Sequence, residues 1–195
     1  AAGFAAPLGV RLWEFGNDAL GGSNNLGYTF GNPVITKRSD GKWVVMFTSG
    51  YNNVSPGNGN GILFVVDALT GQLLKQVSTR IGAADAGSPT APSGLSRINN
   101  WVETPRDNTT LRVYGGDLLG NVWRFDIDGL VQPHSAALRL AQLTYGSPAV
   151  AQPITARPEL AAVTSGGLDY PVVYVGTGKL LGVTDLTDAS TQSLY

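Results

Sequence analysis

The chain has 195 residues, room for one sizeable domain with its own core. Its 13 Lys and Arg, 14 Asp and Glu and net charge of -1, with only 14% charged residues, exclude a charged coiled coil, a highly charged disordered segment and a basic surface that would draw nucleic acid or an anionic membrane. Cysteine is absent, which removes disulfides, thiol chemistry and zinc-thiolate sites.

In chain order, Ala1-Ala2-Gly3 carries no charged and apolar leader pattern, so the expectation is an excised piece whose targeting signal lies elsewhere. Trp13-Glu14-Phe15 is a first short aromatic element. Lys37, Arg38 and Lys42 form the densest basic group, expected as a solvated turn around Asp40-Gly41. Lys42 to Phe47 is a strand-sized apolar run closed by Ser49-Gly50, and Ile62 to Asp67 is the next. Between them, Gly57-Asn58-Gly59-Asn60-Gly61 is expected to be a flexible tip; no Gly-Lys-Ser/Thr follows, so it is not a phosphate loop. Leu73 to Val77 follows Thr70-Gly71 closely enough to close a hairpin. Leu111 to Tyr114, Val122 to Asp126 and Val172 to Val175 repeat the strand pattern. Ser135 to Leu143 fits helical or strand spacing, and strand is favoured. No apolar run approaches the ~20 residues of a membrane helix, so no direct membrane insertion is expected.

Repetition organises these pieces. Three strands end in glycine, at Gly50, Gly116 and Gly176, separated by 116 − 50 = 66 and 176 − 116 = 60 residues. Phe64-Val65-Val66-Asp67 and Trp123-Arg124-Phe125-Asp126 recur 126 − 67 = 59 apart. A unit of about sixty residues with about four short strands is a propeller blade with generous loops. The expected fold is therefore all-β, a segment of a β-propeller with about three four-stranded antiparallel blades. Residues 1–195 form one partial propeller domain, with approximate blade units 1–30 (partial), 31–90, 91–145 and 146–195 (partial). Trp43, Phe47, Phe64, Tyr114, Trp123, Phe125 and Tyr174 are expected to be largely buried within or between blades.

Asp67-Ala68-Leu69-Thr70-Gly71-Gln72-Leu73-Leu74 resembles the Asp-Ala-x-Thr-Gly-Lys-x-x-Trp repeat of quinoprotein propellers, with Lys75 where the Trp would fall. Its Asp and Thr suit turn bracing and its Gly suits positive φ, so a hairpin device is the expected role. A more specific motif is Tyr114-Gly115-Gly116-Asp117-Leu118-Leu119-Gly120-Asn121-Val122-Trp123-Arg124-Phe125-Asp126. It resembles the signature of the C-terminal propeller in PilC/PilY-type proteins, the type IV pilus biogenesis factors and tip-associated adhesins. Its family positions here are Tyr114, Gly116, Asp117, Leu118, Gly120, Asn121, Trp123, Arg124, Phe125 and Asp126. Gly41 to Asn53, Pro92 to Ser96, Gln152 to Ala156 and Gly176 to Leu181 agree in order, so the resemblance covers nearly the whole chain.

The resemblance implies a non-enzymatic role in pilus assembly, retraction control and surface attachment. The propeller would be a docking or regulatory surface for pilus components or a host or surface receptor. It also implies export to the periplasm, outer-membrane surface or pilus. The alternative is a quinone-dependent oxidoreductase propeller; such enzymes often use a vicinal cysteine pair, which this chain lacks. No catalytic residues and no cofactor are expected. His134, the single histidine, is expected to be an exposed loop residue, because a triad needs a base set between an acid and a nucleophile. Asp126 and Asp128 are expected at a turn and strand end. In many relatives the segment before the signature is an EF-hand-like calcium loop. Here Glu103 and Asp107 could match two ligand positions, while Pro105 and Leu111 stand where further oxygen donors are expected and Arg106 adds a repelling charge. The expectation is a plain strand-connecting loop, with calcium bound no tighter than about 0.1 mM.

Overall fold

The computed structural model describes residues 12–20, 25–102, 104, 106–134 and 136–195. The first sheet is built from β1 (Val34–Lys37), β2 (Trp43–Thr48), β3 (Ile62–Asp67) and β4 (Leu73–Ser78), antiparallel and in sequence order. Its register sets Val45 opposite Val66 and Phe47 opposite Phe64. A small hairpin, β5 (Arg80–Ile81) and β6 (Ala84–Asp85), follows. The second sheet contains β7 (Ile98–Val102), β8 (Thr110–Gly116), β9 (Asn121–Asp126) and β10 (Ala137–Gln142), again antiparallel and in order. The ambiguous stretch near Leu138 is thus a strand edge, bulged between Arg139 and Ala141. The hairpins β11 (Thr144–Tyr145) with β12 (Val150–Ala151), and β13 (Glu159–Ser165) with β14 (Leu168–Tyr174), complete the strands. Helix is confined to short 3-10 turns at Asn17–Leu20 and Val183–Thr187 among the described residues.

Alternation along each strand decides which face is packed. Val44 and Met46 of β2, Leu63 and Val65 of β3 and Val77 of β4 meet Ile98, Val113, Trp123 and Phe125 of the second sheet in one buried cluster, with Leu95 and Ile127 at its margins. The other face of the second sheet presents Val122, which packs with Leu143, Ile154 and Val175 of the third unit. Each sheet therefore hides a face against its successor, the arrangement of neighbouring propeller blades. The third unit is less complete than the other two, a two-stranded hairpin extended by the Gly176–Leu194 bridge.

Two aromatic expectations fail. Trp43 is 48% exposed and Tyr174 is 45% exposed. Trp43 opens β2 on the face opposite Val44 and Met46, and Phe15 covers only the Phe47 and Phe64 end of that face. Phe47 itself is half-buried. Tyr174 lies on the face of β14 opposite Val173 and so misses the second cluster. Phe64, Tyr114, Trp123 and Phe125 are buried. The glycine-rich loop also departs from expectation, since Gly59, Asn60 and Gly61 are buried. Asn60 donates to the Thr79 carbonyl at 3.1 Å and accepts from Thr79 Oγ1 at 2.9 Å and from the Gly87 amide at 3.0 Å, which turns a tip into a strut.

Truncating a packed aromatic should therefore cost far more than truncating an uncovered one. Phe125→Ala is expected to lower unfolding free energy by about 3–5 kcal/mol, and Trp43→Ala by no more than about 1 kcal/mol. Urea unfolding of the two variants beside the parent checks the ranking.

Candidate functional site

The signature residues form the β8–β9 hairpin, at the middle of the stacked sheets. Its two glycines face opposite neighbours. A Cβ on Gly115 would come within 3.0 Å of Leu95 and 3.1 Å of Ile98, on the side of the first sheet. A Cβ on Gly116 would lie 2.2 Å from Ile154, on the side of the third unit. The pair thus lets both neighbours approach one strand more closely than side chains would allow.

Asp117 organises the turn. Its Oδ1 accepts the backbone N–H of Leu119 at 3.0 Å and of Asn121 at 2.9 Å. Its Oδ2 accepts the Trp123 indole N–H at 2.8 Å and the Ser93 hydroxyl at 3.2 Å, and the Asn121 amide bridges both oxygens. The backbone of the same residue accepts from the Ile154 amide at 2.9 Å, while Leu118 donates to the Ser93 carbonyl at 2.7 Å. One residue therefore joins the 92–94 loop, the hairpin and the third unit. Burial pushes the Asp117 carboxyl above its ordinary range, opposed by the Trp123, Asn121 and Leu119 donors. Gly120 holds φ +78° at the turn, where its Cβ would meet the Leu143 carbonyl at 2.6 Å.

The remaining signature residues are structural as well. Tyr114 and Phe125 are buried, Leu118 is half-buried under Gly94, and Arg124 bonds the Gln132 carbonyl. Asp126 braces the next turn, accepting from Gly129 at 3.0 Å and Val131 at 3.4 Å. Asp128 accepts the Ser39 amide at 3.2 Å from the first sheet's β1–β2 turn. The quinoprotein-like turn closes on itself: Asp67 Oδ1 accepts from Leu69 and Thr70 at 2.9 Å, and the Trp13 ring lies over Gly71. The two turn amides hold the Asp67 carboxyl below its usual range. His134 is exposed, beside Gln132.

The basic group is a solvated turn only in part: Ser39, Asp40, Gly41 and Lys42 are exposed between β1 and β2. Lys37 and Arg38 are half-buried, and Lys37 Nζ sits 2.7 Å from Asp107 Oδ1 of the β7–β8 loop. The Lys37 and Thr109 hydrogen bonds hold the Asp107 carboxyl low. Glu103 and Pro105 lie outside the described residues. The Asn108 carbonyl is taken by the Lys37 amide at 3.0 Å and by Thr36 Oγ1 at 2.7 Å, and Asn108 holds φ +54°. The Thr110 hydroxyl is shared by Thr36 and Asn100. Lys75 donates to the Asp126 carbonyl at 3.1 Å, its ammonium pushed down by burial while Asp126 and Asp128 pull it up. Among the described residues, no three His, Cys, Asp or Glu side chains gather in metal-binding geometry. No helix there is long and apolar enough to cross a membrane. Ser93, Ile154 and Lys37 are the partners that motif reading missed; each stood in a segment the sequence singled out, Pro92 to Ser96, Gln152 to Ala156 and the basic group, but nothing there paired it with Asp117 or Asp107.

The PilY1 beta-propeller domain, as a sequence family, matches residues 4–195. A type IV pilus biogenesis factor PilY1 homolog of Xylella fastidiosa (strain Temecula1) is 32% identical over 199 residues, covering 94% of this chain and 13% of the relative. Type IV pilus biogenesis factor PilY1 of Pseudomonas aeruginosa (strain PAK) is 32% identical over 212 residues, covering 97% of this chain and 17% of the relative. The chain thus spans less than a fifth of the length of these curated relatives. The crystal structure of the Pseudomonas aeruginosa PilY1 C-terminal domain superposes with a TM-score of 0.73 at 25% identity, covering 96% of this chain and 40% of that one.

Exchanging Asp117 for Asn keeps the shape but turns one acceptor into a donor facing donors. Asp117→Asn is expected to destabilise the fold by about 1–3 kcal/mol, read as a lower urea midpoint with unchanged slope.

Proposed function

The chain belongs to the PilY1 β-propeller family, and from that membership we propose that it serves type IV pilus biogenesis as a non-enzymatic docking and regulatory surface. The observation that carries the reading is the family match along almost the whole chain, at whose centre stands the Asp117 hairpin joining successive blades. The role is pilus assembly, retraction control and surface attachment, with pilus components or a surface receptor as partners. The protein works at the cell surface, in the periplasm or on the pilus.

The chemistry supports a binding role over turnover. Asp67, Asp117 and Asp126 each spend their carboxylate on turn amides, which leaves these groups no acid–base task. The Asp67–Gly71 turn, the only likeness to quinone enzymes, is filled by its own backbone bonds and the Trp13 ring. Purified protein with added quinone is expected to show neither a new absorbance band nor oxidation of alcohols or sugars.

A docking surface needs uncovered apolar groups. Tyr28 and Phe30 are 56% and 67% exposed, stacked with ring centroids 5.6 Å apart, above the buried Tyr51. Rigid exposed aromatics are favoured anchors at protein interfaces. In cells, Tyr28→Ser with Phe30→Ser is expected to leave the protein folded and exported but to lower surface piliation and twitching. Wild-type piliation in that variant would remove this patch from the docking surface, and wild-type piliation after deleting residues 12–195 would remove the pilus role itself.

A further inference from the structure

We propose that the ammonium of Lys37 replaces a bound cation at the β7–β8 loop, so that this rim of the blade junction is fastened by the chain's own charge and not by calcium. A calcium ion takes six to eight oxygens, several of them carboxylate, to offset its dehydration. The residues described at this loop do not fit that demand. Asp107 Oδ1 holds Lys37 Nζ at 2.7 Å. The Asn108 carbonyl points at β1, where it accepts the Lys37 amide and the Thr36 hydroxyl. The Thr110 hydroxyl is turned to Thr36 at 2.8 Å and Asn100 at 2.7 Å. Arg106, beside Asp107, would repel a second cation.

The same oxygens instead dock the loop on the neighbouring sheet. Lys37 and Thr109 form a parallel bridge, so the strand that supplies the cation also supplies a backbone partner. The junction repeats this polarity elsewhere. Lys75 of the first sheet reaches the Asp126 carbonyl, and the Ser39 amide of the same sheet reaches Asp128 Oδ2. Donors come from the first blade and acceptors from the second at the Lys37, Lys75 and Ser39 contacts; at Thr36 the direction reverses, because its one hydroxyl proton goes to the Asn108 carbonyl and Thr110 then donates to it. An ammonium on a flexible stem neutralises one carboxylate without drawing in more ligands, whereas a metal would recruit further oxygens. Because Asp107 is exposed, the ion pair is screened by salt.

Amide exchange at Lys37, whose N–H donates to Asn108, reads the docking directly, and calorimetric titration with calcium chloride reads the metal. Titration should show no binding tighter than about 0.1 mM, and Lys37 exchange should be equal in calcium and in chelator. Sodium chloride should speed that exchange. Lys37→Met should speed it several-fold at low salt and abolish the salt effect. Asp107→Asn, on an exposed side chain, should do the same if the lysine variant folds poorly. A micromolar calcium site lost in Asp107→Ala, or Lys37 exchange indifferent to both substitutions, would overturn the proposal.

Discussion

The carboxylate of Asp117 is shut away from water between the 92–94 loop, the β8–β9 turn and the third unit. A carboxylate taken from water must recover its hydrogen bonds or cost several kcal/mol. Here the recovery comes from three directions. The turn supplies the Leu119 and Asn121 amides, the next strand supplies the Trp123 indole, and the 92–94 loop supplies the Ser93 hydroxyl. Satisfying one side chain therefore fixes the turn, the rotamer of the largest core residue and the approach of a distant loop. Trp123 then anchors the cluster between the first two sheets, and Ile154, held by the Asp117 carbonyl and seated on Gly116, anchors the cluster beyond.

The same device recurs at lower stakes. Asp67 and Asp126 brace the turns that follow β3 and β9, Asp40 accepts the Lys42 amide, and Asp185 accepts from Leu181 and Gly182. In a chain with only 14% charged residues, acids placed at turns are acids withheld from chemistry. This links composition to function. A propeller whose carboxylates hold turns is left with its shape and exposed side chains, the features on which the proposed docking role rests.

Much of the fold was legible because its signals are local. Runs such as Ile62 to Asp67 end where they do because Asp67 and Gly71 make the next turn. The strand of Val122 to Asp126 is legible in the same way, with Gly120 before it and Gly129 after it. What stayed hidden depends on residues far apart in the chain. Ser93 and Asp117 are 24 positions apart, and Lys37 and Asp107 are 70 apart. Exposure failed for the same reason. Trp43 and Tyr174 are large aromatics like Phe64, and only the stacking of sheets decides which face of a strand is covered. Asn60 misled through composition, since a glycine-flanked amide suits a loose loop until Thr79 and Gly87 are brought beside it.

If the Asp117 hairpin is the joint of the whole assembly, its bonds should open only when the fold does. Hydrogen exchange of the Trp123 indole proton, followed by NMR across low urea concentrations, measures that opening. The indole proton, the Asn121 amide and the Ile154 amide are expected to share one opening free energy and one urea dependence, both equal to those of global unfolding. An indole proton that exchanges through a small, urea-independent fluctuation while the Phe125 amide stays protected would contradict that role of the hairpin.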